Sequence, residues 1–123
     1  MDERDVIEVR IPPDAQFASL LRVTVASVAA DLGFTVDEID DLRLGVSEVF
    51  ATLTAAEGPD RCVMRLSVEP AAVVVTLGLE PGGTVPELDA LATTILSSVV
   101  DEFRASEDGF VLVKRAVESA AAR

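Results

Sequence analysis

Thr35-Val-Asp-Glu-Ile-Asp-Asp-Leu-Arg-Leu-Gly-Val-Ser-Glu-Val-Phe-Ala-Thr-Leu53 is the stretch on which the fold turns. Its opening, Thr35-Val-Asp-Glu38, matches a capping box, in which the two polar side chains satisfy each other's backbone N–H groups at the start of a helix. Ile39, Leu42, Val46, Val49, Phe50 and Leu53 then recur at three- and four-residue spacing. Gly58-Pro59 closes the segment. The spacing predicts an amphipathic helix with one apolar side.

Working outward from it, Val6 to Ile11 alternates apolar and charged residues with the period of a strand, and Pro12-Pro13 stops it. Asp14 is placed to cap a first helix with Phe17, Leu20, Leu21, Val25, Val28 and Leu32 on its apolar face, and Gly33 to end it. Downstream, Cys62, Met64, Leu66 and Val68 alternate with polar residues, and Glu69-Pro70-Ala71 turns the chain into the run Val73 to Leu79, which predicts an antiparallel hairpin. Pro81-Gly82-Gly83 opens a loop, and 85–100 is expected as a third helix with Leu88, Leu91, Ile95 and Val99 on one face. A last hairpin is expected to run from Asp101 to Ser106, turn at Glu107-Asp108-Gly109 and return over 110–117, with an Ala-rich frayed tail over 118–123. The order βααββαββ predicts an α/β (α+β) two-layer sandwich: a mixed or antiparallel sheet covered on one face by about three helices. At 123 residues, with no repeat or linker, the chain is expected to be a single domain over 1–123.

Composition narrows the function classes. Acidic residues number 22 against 10 basic ones, and the only aromatic residues are five Phe, so neither phosphate contacts nor base stacking is provided for and nucleic acid is not an expected partner. A net charge of −12 fits a basic protein surface, or simply keeps the chain soluble. Without His and with Cys62 as the single cysteine, no transition-metal site is expected, and an unpaired thiol suits a reducing compartment, so the expected location is cytoplasmic. No apolar run is long enough to cross a bilayer, and the first ten residues carry no apolar signal region; no membrane association is expected.

Leu21-Arg-Val-Thr-Val-Ala-Ser27, Thr35-Val-Asp-Glu-Ile39, Val46-Ser-Glu-Val49 and Val100-Asp-Glu-Phe103 together resemble the bacterial anti-sigma factors of the sporulation and general-stress (RsbW) type. The resemblance implies the GHKL ATPase fold, serine kinase activity toward an anti-anti-sigma protein, and capture of a sigma factor by a homodimer. Members hold ATP with a Glu and an Asn four residues later, an Asp-x-Gly loop after a strand, and a glycine-rich stretch before the next helix. The Asn holds magnesium, the Glu can act as general base, the Asp takes the adenine amino group, and glycines let backbone amides reach phosphate.

Carried onto this chain, the Glu is Glu48, while the Asn position is Thr52, a weaker magnesium contact. Leu79 and Pro81 stand at the Asp and Gly positions; a shift of one residue would put Glu80 in the Asp place, with Pro81 still supplying no N–H. The glycine-rich stretch is Ala90-Leu91-Ala92, whose methyl groups obstruct close approach of phosphate, and the preceding loop is short for a mobile lid. ATP and magnesium are therefore not expected as cofactors. Glu48 stands as a vestigial general base, or as a plain polar residue lining an empty groove. Gly82-Gly83 is expected to be a turn, and Thr93, Thr94, Ser97 and Ser98 a helix face of low charge.

Arg22 matches an arginine that in the resembled family contacts both partners, and its planar fork and apolar stem suit an interface; the plain alternative is a solvated arginine. Asp40, Asp41 and Arg43 are expected as a wet helix face. The expected function is an anti-sigma regulatory factor that binds a sigma factor, an anti-anti-sigma protein, or both, without ATP. The alternatives are an ATP-dependent serine kinase and a decoy module for an anti-anti-sigma protein.

Overall fold

The structure, a computed structural model, describes residues 5–82 and 84–116. The elements run β1 (Val6–Ile11), α1 (Ala18–Asp31), α2 (Val36–Leu53), β2 (Arg61–Glu69), β3 (Ala72–Glu80), α3 (Ala90–Val99), β4 (Glu102–Ala105) and β5 (Gly109–Arg115), the order expected from sequence. The strands form one five-stranded sheet in the order β1-β2-β3-β5-β4, and every pairing is antiparallel.

Period-two alternation sorts the sheet into two unlike faces. Register aligns Ile11, Cys62 and Leu79 in one row, and Met64, Leu77 and Phe110 in the next. A third row holds Leu66, Val75 and Leu112. All of these are buried against the helices. The thiol of Cys62, deep in this layer, is pushed up to about 12 by burial and serves as a small apolar side chain. On the opposite face Glu8, Arg65, Thr76, Val111 and Arg104 line up across the strands, with partly or fully exposed side chains.

α2 is the central helix. It lies on β3 and β5 and carries α1 on one flank and α3 on the other. Its capping box forms as the sequence predicts: Glu38 N–H donates to Thr35 Oγ1 at 3.1 Å and Thr35 N–H to Glu38 Oε1 at 2.8 Å. Leu42, Val46, Val49 and Leu53 are fully buried beneath it, each such side chain stabilising by roughly 1.5–3 kcal/mol. Gly45 lets α3 approach closely, since a Cβ there would sit 3.1 Å from Val100 Cγ1. Gly109 is stricter: a Cβ would fall 1.8 Å from the Leu77 carbonyl oxygen, so only glycine lets β5 start against β3.

Several boundaries differ from expectation. Asp14 does accept from Gln16 N–H at 3.0 Å, but it caps a short 3-10 turn, Ala15–Phe17, ahead of α1. α3 starts at Ala90, five residues later than expected, because Pro86 holds Val85 extended and Asp89 supplies the cap. Its buried side is Ala92, Leu96 and Val99, packed toward α2, and Leu91 is exposed. The last hairpin is shorter, and the expected tail lies outside the described residues. Replacing the capping hydroxyl, Thr35→Ala, is expected to lower unfolding stability by about 1 kcal/mol in denaturant titration, the usual loss for a helix cap.

Candidate functional site

The outward ridge between α1 and α2 carries the first group of candidate residues. Arg22, half-buried on α1, directs Nη2 to Ser19 Oγ at 3.2 Å and Nη1 to Ser47 Oγ of α2 at 3.4 Å. Those hydroxyls orient the guanidinium without neutralising it. By contrast Arg10, Arg43, Arg65, Lys114 and Arg115 each lie in an ion pair, whereas Arg22, Arg61 and Arg104 have no carboxylate partner among the described residues. Val23, next to Arg22, is 61% exposed and Leu44 on α2 is 43% exposed. An oriented, uncompensated cation beside exposed aliphatic side chains has the makeup of a protein-binding hot spot. Sequence reasoning singled out Arg22; Val23 and Leu44 were not among its candidates. Their signal was phase: both fall off the buried stripes of their own helices.

Glu48 and Thr52 lie one turn apart on α2, both half-buried. α3 runs antiparallel to α2, since Val99 and Val100 meet Gly45 and the Val99 carbonyl shares Lys114 with Asp41. Its N-terminal half therefore lies toward the later turns of α2, the turns that carry Glu48 and Thr52. Three features describe the candidate positions. The Thr52 hydroxyl donates to the Glu48 carbonyl at 3.1 Å, a back-bond along the helix. Asp89 Oδ1 accepts the Ala92 N–H at 2.8 Å, which puts a carboxylate at the helix N-terminus where an anion would dock. Leu79 is 2% exposed and faces the helix layer, offering a methyl group in place of a carboxylate.

Glu80 is not brought to this region. It is one residue along from Leu79 and therefore lies on the other face of the sheet, where it pairs with Arg10. Arg10 Nε also holds Glu8 Oε1 at 2.8 Å, and Arg65 Nε holds Glu8 Oε2 at 2.7 Å, so Glu80 ends a charge ladder on the open face. The structure thus places the Asp89 carboxylate at the N-terminus of α3, the aliphatic side chain of Leu79 in the helix layer and Glu80 on the open face.

The remaining candidates divide. Asp40 and Arg43 form an exposed pair at 3.5 Å, as expected of a wet face. Asp41 instead holds Lys114 Nζ at 3.2 Å, and Lys114, only 7% exposed, also donates to the Val99 carbonyl at 2.9 Å. This tie between α2, β5 and the end of α3 was not foreseen, because a lysine on a strand reads as exposed. Among the described residues no cluster of His, Cys, Asp and Glu is placed to hold a metal ion, and no helix is long and apolar enough to cross a membrane.

The geometry defines a two-layer α+β fold whose α1–α2 ridge carries Arg22 with exposed Val23 and Leu44. Among curated proteins the chain is similar to the serine-protein kinase RsbW of Bacillus subtilis, 41% identical over 44 residues that cover 36% of this chain and 28% of the relative. It is also similar to the proteins of the same name from Bacillus velezensis, 41% identical over 44 residues, and Bacillus thuringiensis, 38% identical over 48 residues, or 39% of this chain and 30% of the relative. The matched part thus spans less than a third of these relatives. These partial matches support the resemblance seen in the sequence; no family model matches the chain.

The charge ladder makes a pH prediction. Arg65 and then Arg10, by hydrogen bonding, hold the Glu8 carboxyl below its ordinary value of 4.5. A carboxylate depressed in the folded state adds stability above its unfolded value and loses it as pH falls through the folded one. NMR titration of Glu8 is expected to show the depressed midpoint, and Arg65→Gln to raise it toward 4.5.

Proposed function

We propose that this chain is an anti-sigma regulatory factor, or a divergent relative of one, that binds a sigma factor, an anti-anti-sigma protein, or both, through the α1–α2 ridge and does so without ATP. The observation that carries the proposal is Arg22, oriented by Ser19 and Ser47, lacking a carboxylate partner among the described residues and flanked by exposed Val23 and Leu44. The partial likeness to RsbW proteins supports it. The acidic balance of the chain fits a partner with a basic surface around the acidic residue that Arg22 would take. A GHKL-type architecture, a homodimer and a cytoplasmic location belong to the same proposal. Regulation follows from geometry: two partners that need one ridge exclude each other.

Co-purification with a sigma factor or an anti-anti-sigma protein of the source cell is the expected result. Arg22→Glu should weaken it by about thirtyfold, the size of a hot-spot loss, and added salt should weaken it further. Failure of both partner classes to bind would sink the proposal.

A second reading, an ATP-dependent serine kinase acting on an anti-anti-sigma protein, is favoured by the name of the matched relatives and by the placement of Glu48 one turn from Thr52. The carboxylate of Asp89 at the N-terminus of α3 weighs against it. Calorimetry with magnesium ATP separates the two readings. No heat is expected at millimolar nucleotide; binding that disappears in Glu48→Ala and Thr52→Ala variants would establish the kinase reading instead.

A further inference from the structure

β4 is an edge strand, and the ladder fixes which of its backbone groups are free. Glu102 pairs with Val113 and Arg104 with Val111, and just beyond the strand the Ser106 N–H donates to the Gly109 carbonyl at 2.8 Å. Directly bonded residues alternate along an antiparallel pair, so Glu102 and Arg104 turn their N–H and C=O toward β5. Phe103 and Ala105 turn theirs to the open edge, where they take no backbone partner among the described residues.

Such edges are ordinarily blunted by a proline, a bulge across the free side or a covering segment. Here the segment 84–88 runs alongside without bonding to the edge and leaves a groove of about 540 Å³ between Val85, Leu88, Phe103 and Phe110. That is within the usual size of a ligand pocket; these four side chains form its apolar side, and Glu87, Arg104, Ser106 and Glu107 also line it. Phe103 and Ala105 point to the groove side, whereas Arg104 points to the open face, exposed and without an ion pair among the described residues.

We propose that this edge receives an extended peptide segment of a partner protein, added beside β4 as a further strand of the sheet. Side chains of an added strand alternate in step with those of β4. Residues opposite Phe103 and Ala105 enter the apolar groove, and the residue between them lies against Arg104. The segment recognised therefore reads apolar, acidic, apolar. None of the residues of the Arg22 ridge takes part, so this site and the anti-sigma proposal stand or fall separately.

The test titrates the isotope-labelled chain with two blocked synthetic pentapeptides, Thr-Val-Glu-Val-Thr and Thr-Val-Lys-Val-Thr. The Glu peptide is expected to shift the amide signals of Phe103 and Ala105 and slow their hydrogen exchange, and to bind about tenfold more tightly than the Lys peptide, the worth of one charge-assisted pair. Arg104→Glu should reverse that preference. Ala105→Pro removes an outward N–H that β5 does not use, and should abolish binding while the amide signals of β5 stay in place. Shifts centred elsewhere, no shifts at millimolar peptide, or unchanged preference in Arg104→Glu would overturn the proposal. Self-association removed by Ala105→Pro would also overturn it, assigning the edge to a second copy of this chain.

Discussion

The seating of α2 on β3 and β5 is the contact on which the rest of the molecule depends. Leu42, Val46, Val49 and Leu53 lie fully buried beneath the helix, facing the rows that hold Leu77, Val75 and Leu112. Because burial of apolar surface is the main favourable term in folding, this contact fixes how far apart the two layers sit. The flanks follow from it. Gly45 lets α3 draw close on one side, and on the other Ser47 comes within reach of Arg22 on α1. Lys114 then ties Asp41 of α2 to the last turn of α3, an ion pair whose loss would leave a buried charge without its partner.

The same seating divides the surface by chemistry. The α1–α2 ridge presents Arg22 between aliphatic side chains, α2 and the start of α3 present carboxylates, and the open sheet face presents alternating charges in mutual pairs. The first joins Arg22, without a carboxylate partner among the described residues, to exposed aliphatic side chains, and Arg104 stands likewise without an ion pair beside the groove at β4. The region of Glu48 illustrates the reverse case. Asp89 caps the N-terminus of α3, and the Thr52 hydroxyl bonds along its own helix to the Glu48 carbonyl.

Much of the fold was legible in the chain, and for identifiable reasons. The Thr35–Glu38 box and the stripe from Ile39 to Leu53 are local signals, complete within one element, and α2 forms where they place it. The alternation over β2 and β3 likewise specifies both strands and their buried side. Where two local signals competed, sequence reasoning slipped: apolar residues from Val85 onward suggested a helix, but Pro86 and the cap at Asp89 set its true start, and Leu91 is exposed. The candidacy of Arg22 rested on resemblance alone, since an arginine on an amphipathic helix is ordinarily a solvated one.

By itself the sequence determined the element types, their order and the apolar stripe of α2, because hydrophobic period and capping chemistry act within a few residues. It also determined that Leu79 and Glu80 would face opposite ways, since alternation along a strand allows nothing else. Tertiary structure alone decided that the sheet is antiparallel throughout, that Glu80 pairs with Arg10 across the open face, that buried Lys114 pairs with Asp41, and that the outer edge of β4 takes no strand partner among the described residues and lies beside an apolar groove. Each of these joins residues far apart in the chain. Which of them meet is set by the register of strands and the seating of helices, and no local pattern encodes either.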